Sequence, residues 1–229
     1  MTVEHETKAV TMYSPKHFKM DDPSVMRDFI RAHPLATVVQ NTAEGLQANH
    51  IPLQLVEAEA EAAGEHEWRL RGHVARANTL WRDALVSNEV LLIFTGADAY
   101  VSPNWYPSKA LDGKAVPTWN YAVLHVRGVL DVHDDVDWLR GALQDLTAEH
   151  EAQVGVRPWQ ISDAPADYIA RMLQAVVGIE VRITSMEAKF KVSQNQSADN
   201  RAGVVAGMGA VGDEVHERMV ELIKVCAPK

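Results

Sequence analysis

The segment AYVSPNWYPSKALDGKAVPTWNYAVLHVRG, residues 99–128, places two proline-punctuated aromatic runs around a short turn and then continues as a β-branched run. Residues 122–132 read as a long strand. The runs before it, 102–109 and 116–121, crowd Trp105, Tyr106, Lys109, Thr118, Trp119 and Asn120 more closely than a core strand requires. Flat rings, small hydroxyls such as Ser102 and Thr118, and a few cations suit a planar, anionic ligand.

Upstream, Asp22 and Pro23 open a short helix that Pro34 stops. Residues 35–40 and 46–55, with Gly45 in the turn between them, predict a hairpin. The acidic, Ala-rich stretch 57–67 reads as a solvated loop, and 68–75 alternates as a half-buried strand should. Asn78 is placed to cap a short helix over 79–85, and the apolar run 90–94, ended by Gly96, predicts a strand buried on both faces. Downstream, Val136, Leu139, Leu143 and Leu146 recur at helical spacing. A second helix begins at Asp163 and Pro165, with Ile169, Met172, Leu173 and Val176 as its apolar face. Residues 177–190 return to strand, with Gly178 as a candidate bulge, and 213–226 predict a closing helix.

Strands with few helices between the central ones predict a mainly β, α+β chain built on an antiparallel barrel or sandwich. No composition shift marks a boundary, so 229 residues read as one domain, with a helical extension from about 199 to 229. A net charge of −9 disfavours a broad electrostatic grip on nucleic acid, and no helix-turn-helix is evident. The first residues lack the basic start and apolar run of a secretion signal, and no apolar run approaches bilayer length. With a single cysteine, Cys226, the expectation is a cytoplasmic protein.

Several motifs fail on context. Gly207-Met-Gly-Ala-Val-Gly212 matches a dinucleotide fingerprint, but 17 residues filled by one helix follow it, so it reads as a flexible linker. No H-E-x-x-H, thiolate zinc set or G-x-S-x-G occurs, which leaves hydrolase readings without support. Other segments carry more. Arg76 stands where a strand ends and a helix begins after Asn78, a candidate anion site; the alternative is an arginine paired with a local carboxylate. Lys189, Lys191 and Ser193 fall on one face at strand period, and Asn49 and His50 interrupt an apolar strand.

Taken in order, 12–18, 45–52, 72–78, 93–96, 100–109, 116–121, 177–180 and 189–195 resemble the PaiB-type family, the FMN-binding negative transcriptional regulators. The resemblance spans about residues 12 to 209. It implies a split antiparallel β-barrel with peripheral helices, like that of the pyridoxamine-phosphate-oxidase-like flavoproteins, and a homodimer with FMN at the subunit interface. The chain departs from the family pattern at Ala188, where glycine is usual, at Gln196, where arginine is usual, and at Ala97 after Gly96, where proline is usual.

FMN would set three demands. For its phosphate the candidates are Arg76, Lys191 and Ser193, with Lys109; for ring walls, Trp105, Trp119 and the backbone of Ala48, Asn49 and His50. Asn78, Ser102, Thr118, Asn120 and Gln194 are candidates for ring oxygens and ribityl hydroxyls. No side chain is singled out as a general acid or base. The alternatives are a flavin-dependent oxidoreductase acting with a nicotinamide or small-molecule substrate, and a haem-binding protein with His50, His73 or His125 as ligand. The acidic C-terminal helix supports direct DNA binding poorly.

Overall fold

The computed structural model describes residues 12–59, 66–84 and 87–227. In chain order, β1 (Lys19–Met20) precedes α1 (Pro23–Ala32), β2 (Leu35–Thr42), β3 (Gly45–Pro52), β4 (Gln54–Glu59), β5 (His66–Ala75), α2 (Leu80–Asp83) and β6 (Glu89–Val101). Then come α3 (Lys109–Asp112), β7 (Thr118–His133), α4 (Val136–Val154), α5 (Ala166–Gln174), β8 (Val176–Lys191), α6 (Ala198–Val211) and α7 (Glu214–Val225). Positions 60–65 of the acidic stretch, and 85 at the end of the helix expected after Asn78, lie outside the described residues.

The described strands form an eight-stranded sheet in the order β3-β2-β6-β7-β8-β5-β4, with β1 beside β8. This corrects the expected split barrel. The order has two ends, β3 and β4, and among the described residues no ladder joins them, so the sheet is open and the fold is α+β with peripheral helices. At the β3–β4 junction Pro52 has no N–H to donate, and the Leu53 N–H extends the β2–β3 pairing by one step to the Pro34 carbonyl at 2.9 Å before β4 begins. The chain thus leaves one edge of the strand order and restarts at the other.

Packing divides the chain into two units. The first contains Pro23–Thr95 and Leu124–Met186. Its hairpin pairs Thr42 with Gly45 and Leu35 with Pro52, as the turn signal predicted. Alternate residues Ala36, Val38 and Gln40 of β2 are buried, and so are Val90, Leu92 and Phe94 of β6. On α1, Met26, Phe29 and Ile30 are the buried positions, at the spacing a one-sided helix gives. Gly178 is not a bulge. Pairing of β5 with β8 runs unbroken from Ala75–Val176 to Arg69–Arg182, and a Cβ at Gly178 would stand 2.8 Å from Cε3 of Trp138. The glycine makes room for an indole.

The second unit contains the described residues up to Asp22, Gly96–Val123 and the chain from Glu187 onward. Here β6 runs past Gly96, because Ala99 and Val101 belong to a separate core with Tyr106, Val192, Val204, Met208, Met219 and Ile223. The glycine motif expected to form a linker lies inside α6 except for Gly212, which ends the helix at φ 69°. A Cβ at Gly207 would stand 2.5 Å from Cδ2 of Trp105, and one at Gly203 would stand 2.8 Å from Cδ of Pro107. These glycines let the helix close on the 105–107 segment.

Candidate functional site

In the second unit, the start of β7 and the end of β8 bring four predicted residues together. Thr118 and Asn120, two apart on a strand, share a face. The Lys191 ammonium donates to the Thr118 hydroxyl and to the Trp119 carbonyl, both at 2.5 Å. Asn120, 1% exposed, donates through Nδ2 to Ser193 Oγ at 2.9 Å. Ser193 is buried just beyond β8 with φ 67°, a left-handed conformation that costs a non-glycine residue about 1–2 kcal/mol. Asn120 and the turn bond from the Gln196 N–H to the Ser193 carbonyl, 3.0 Å, hold it there.

These residues line a cavity of about 270 Å³, together with Tyr106, Ser108, Lys114, Asn195, Gln196 and Asn200. Its lining contains two lysines and no carboxylate. Burial pushes the Lys191 ammonium below its ordinary value, and the charge of Lys189 adds to that. Burial pushes the Tyr106 phenol up, so it stays neutral at physiological pH. Hydroxyls, amides and an ammonium that meets only neutral oxygens form a donor set for an anion.

Other predicted residues of this unit are engaged elsewhere. Gln194 is bound to its own turn, accepting from the Val192 N–H at 2.8 Å and donating to the Phe190 carbonyl at 2.5 Å. Ser102 caps the turn at Pro103–Trp105, and Lys109 donates to Asn104 at 2.5 Å. Trp105 backs the glycines of α6 and meets His216 edge-on, with centroids 6.4 Å apart. Trp119 is half exposed and donates to Asp98 at 2.8 Å.

The remaining candidates lie in the first unit. Asn78 donates to Asn49 at 2.7 Å and accepts from the Leu80 N–H at 2.9 Å, one residue before Thr79, which takes the N-cap position of α2 in place of the expected Asn78. His50 meets Thr37 at 3.1 Å, and Ala48 pairs with Val39. Arg76 carries out the alternative reading, an ion pair. Its Nη1 and Nη2 hold both oxygens of Asp134 at 2.9 and 2.5 Å, and Nε and Nη2 donate to the carbonyls of Gln174 and Val176. Of the haem-ligand candidates, His73 is pushed below its ordinary value by burial. Among the described residues no cluster of three metal-ligating acids, histidines or cysteines occurs, and no helix is long and apolar enough to cross a membrane.

Sequence reasoning missed two arrangements. One is the remaining cavity lining: Ser108, Asn195, Gln196 and Asn200. Asn200 carried a signal, because it shares a helical stripe with the buried Val204 and Met208, where an amide needs partners. The other is a charge cluster around Glu180, 2% exposed, which accepts from Arg69 at 2.7 Å and from Arg71 at 2.5 Å. Burial alone would push this carboxyl up, but the bonds from Arg71 and Arg69 outweigh it and hold the carboxyl below its ordinary value. Beside it His133 stacks on Trp138 at 4.0 Å, with Nε2 buried 4.0 Å from Glu180 and without a hydrogen-bond partner among the described residues. Its imidazole is pushed down, chiefly by burial.

A larger groove of about 840 Å³ lies along α4 and α5, lined by Arg140, Trp159, Ile161 and Ile169 among others. It contains none of the predicted residues and no converging buried polar groups. The smaller cavity, with its buried amide, strained serine and half-buried lysine, is the better candidate.

The domain family described as "Putative FMN-binding domain" matches residues 12–185. An uncharacterized protein of Emericella nidulans is 30% identical over 230 residues, covering 88% of this chain and 92% of that one. Protease synthase and sporulation protein PAI 2 of Bacillus subtilis is 26% identical over 213 residues, covering 93% and 97%. Among solved structures, the FAD and heme binding protein of Mycobacterium smegmatis is similar in fold, with a TM-score of 0.54 at 17% identity over 85% of this chain and 80% of that one. The family match takes in Thr118 and Asn120 of the cavity, while Lys191, Ser193 and Asn200 lie beyond it. By that match, which covers most of its length, the chain belongs to the FMN-binding domain family.

Proposed function

We propose that the flavin of this protein is FMN and that the cavity at Thr118, Asn120, Lys191 and Ser193 takes its phosphate end. The observation carrying this reading is the half-buried Lys191 ammonium, which meets only neutral oxygens in a lining without carboxylates. An anionic oxygen is the group that such a lysine lacks. Lys191 would neutralise the phosphate, and Thr118, Ser193 and Ser108 would offer it hydroxyls. The amides of Asn120 and Asn195 would fix its orientation. Bound flavin supplies hydride and single-electron chemistry, for which the protein contributes position and field.

Arg76, held by Asp134 and two carbonyls, acts in this reading as a brace within its own unit. A homodimer sharing the flavin belongs to the same proposal, and sedimentation with and without FMN tests it. A regulatory role, which the family resemblance implies, belongs to the same proposal, and transcript levels in a deletion strain would test it.

The deciding experiment titrates purified protein with FMN and with riboflavin, following flavin fluorescence. Tighter binding of FMN is expected. Equal affinities, or none for either, would overturn the reading. Rapid reduction of the bound flavin by NAD(P)H would make the protein an oxidoreductase.

A further inference from the structure

The last third of the cavity wall comes from α6 and the turn before it, in a part of the chain that the family match does not reach. One side chain joins that wall to the opposite one. Asn200 is 8% exposed, and all its amide atoms are engaged. Its Oδ1 accepts from the Ser108 N–H at 3.2 Å, and its Nδ2 donates to Ser108 Oγ at 3.0 Å and to Gln196 Oε1 at 3.1 Å. Its own N–H is capped by Ser197 at 3.3 Å. Ser108, Gln196 and Asn200 all line the cavity.

Ser108 also opens α3 and the loop that carries Lys114, Ala115, Val116 and Pro117 along the cavity to Thr118. The segment before it is seated on α6 by the close approach of Trp105 to Gly207 and of Pro107 to Gly203. The apolar contact sets the distance between α6 and this loop. It does not set which atoms of the loop face the cavity. A two-point bond to the backbone and hydroxyl of one residue does, because an amide satisfies both only in a single register.

We infer that Asn200 is the positioning residue of the cavity, registering the 108–118 wall against the end of β8 so that Ser108, Thr118 and Lys191 converge on one anion. This rests on the reading of the cavity as a phosphate site. It makes α6 part of the ligand site, and it locates the FMN preference partly in a residue that need not touch phosphate. Loss of register weakens the phosphate contacts and leaves contacts with the rest of the flavin as they were.

The test compares FMN with riboflavin affinity in the wild type, in Asn200→Ala and in Ser108→Ala, with thermal unfolding of each apoprotein. Asn200→Ala should lower FMN affinity about tenfold, as loss of a buried two-point contact implies, and leave riboflavin affinity unchanged. Ser108→Ala removes only the hydroxyl end of the bridge, so its loss should be smaller and of the same kind; it decides the matter if Asn200→Ala does not fold. Asn200→Asp keeps the acceptor for the Ser108 N–H but adds a negative charge, and should lose FMN without losing riboflavin. If the folded variants bind FMN like the wild type, or lose FMN and riboflavin equally, the inference fails while the phosphate site stands. A wild type with no preference for FMN removes both.

Discussion

The two units handle charge drawn away from solvent in opposite ways. Around Glu180 every charge has a protein partner: two arginines hold the carboxylate, and Glu67 holds Arg69. Around Lys191 the ammonium meets a hydroxyl and a carbonyl, and no acid lines the cavity. A buried pair with its hydrogen bonds complete is architecture, because nothing is left for a ligand to satisfy. A half-buried cation facing neutral oxygens is incomplete and gains by receiving an anion. The same residue types thus serve a brace in one unit and a candidate site in the other.

Breaking the brace should have the largest effect. Glu180→Ala leaves Arg69 and Arg71 facing each other without their shared acid. It should destabilise by about 3 kcal/mol, the lower end for a broken buried pair because both guanidiniums keep some solvent contact. Urea unfolding measures this, and a loss under 1 kcal/mol would remove the contrast. The same cluster makes the wild type acid-sensitive. His73 and His133 are held below the ordinary imidazole value of 6.5, so the unfolded chain takes up protons first and stability falls as pH drops through that value. Glu180 is held below the ordinary 4.5, so its contribution is complete above that value and is lost as pH falls through the lower folded value.

Lys191→Met should act on binding in place of stability. Two charge-assisted donors are lost, so FMN affinity should drop by about 10- to 100-fold, and the unfolding midpoint should move little. The wild-type affinity should also weaken as pH rises toward the lowered lysine value, at a pH below the ordinary 10.5, and Lys191→Arg should abolish that alkaline limb. A lysine variant that unfolds the protein and binds FMN normally would invert the comparison.

Gly178→Ala tests packing beside the brace. A methyl group there collides with the Trp138 ring and should cost about 1–3 kcal/mol, with flavin affinity retained in the folded protein. Arg76→Ala should have the smallest effect. Its pair with Asp134 is solvent-exposed, so neither the unfolding midpoint nor flavin affinity should change measurably. A clear loss of FMN in this variant would return Arg76 to the phosphate.

How far the chain could be read follows from which signals are local. The hairpin at Gly45 and the helix that opens at Pro23 and stops before Pro34 each depend on residues within a turn or two, and both are present. Reading Gly207–Gly212 as a linker failed because nothing nearby in sequence shows that Trp105, about a hundred residues earlier, needs that surface. Gly178 failed as a bulge for a related reason, since its neighbour Trp138 comes from a different element. Of the fourteen cofactor candidates, Thr118, Asn120, Lys191 and Ser193 converge on one cavity; Arg76, Lys109 and Gln194 have the right chemistry but are satisfied by neighbours.

From its residues alone the chain declared most of its strands and helices, its family resemblance, and the donor types a flavin phosphate would need. Periodicity, caps and motif order are properties of short stretches, and they survive being read one stretch at a time. Only the tertiary structure decided that the sheet stays open, that Arg76 belongs to Asp134, and that Asn120 and Ser193, 73 positions apart, meet in a carboxylate-free cavity with Lys191. The physical reason is that closure, pairing and burial depend on which distant groups share a space. A side chain's charge becomes structure or site according to whether that space already holds its partner.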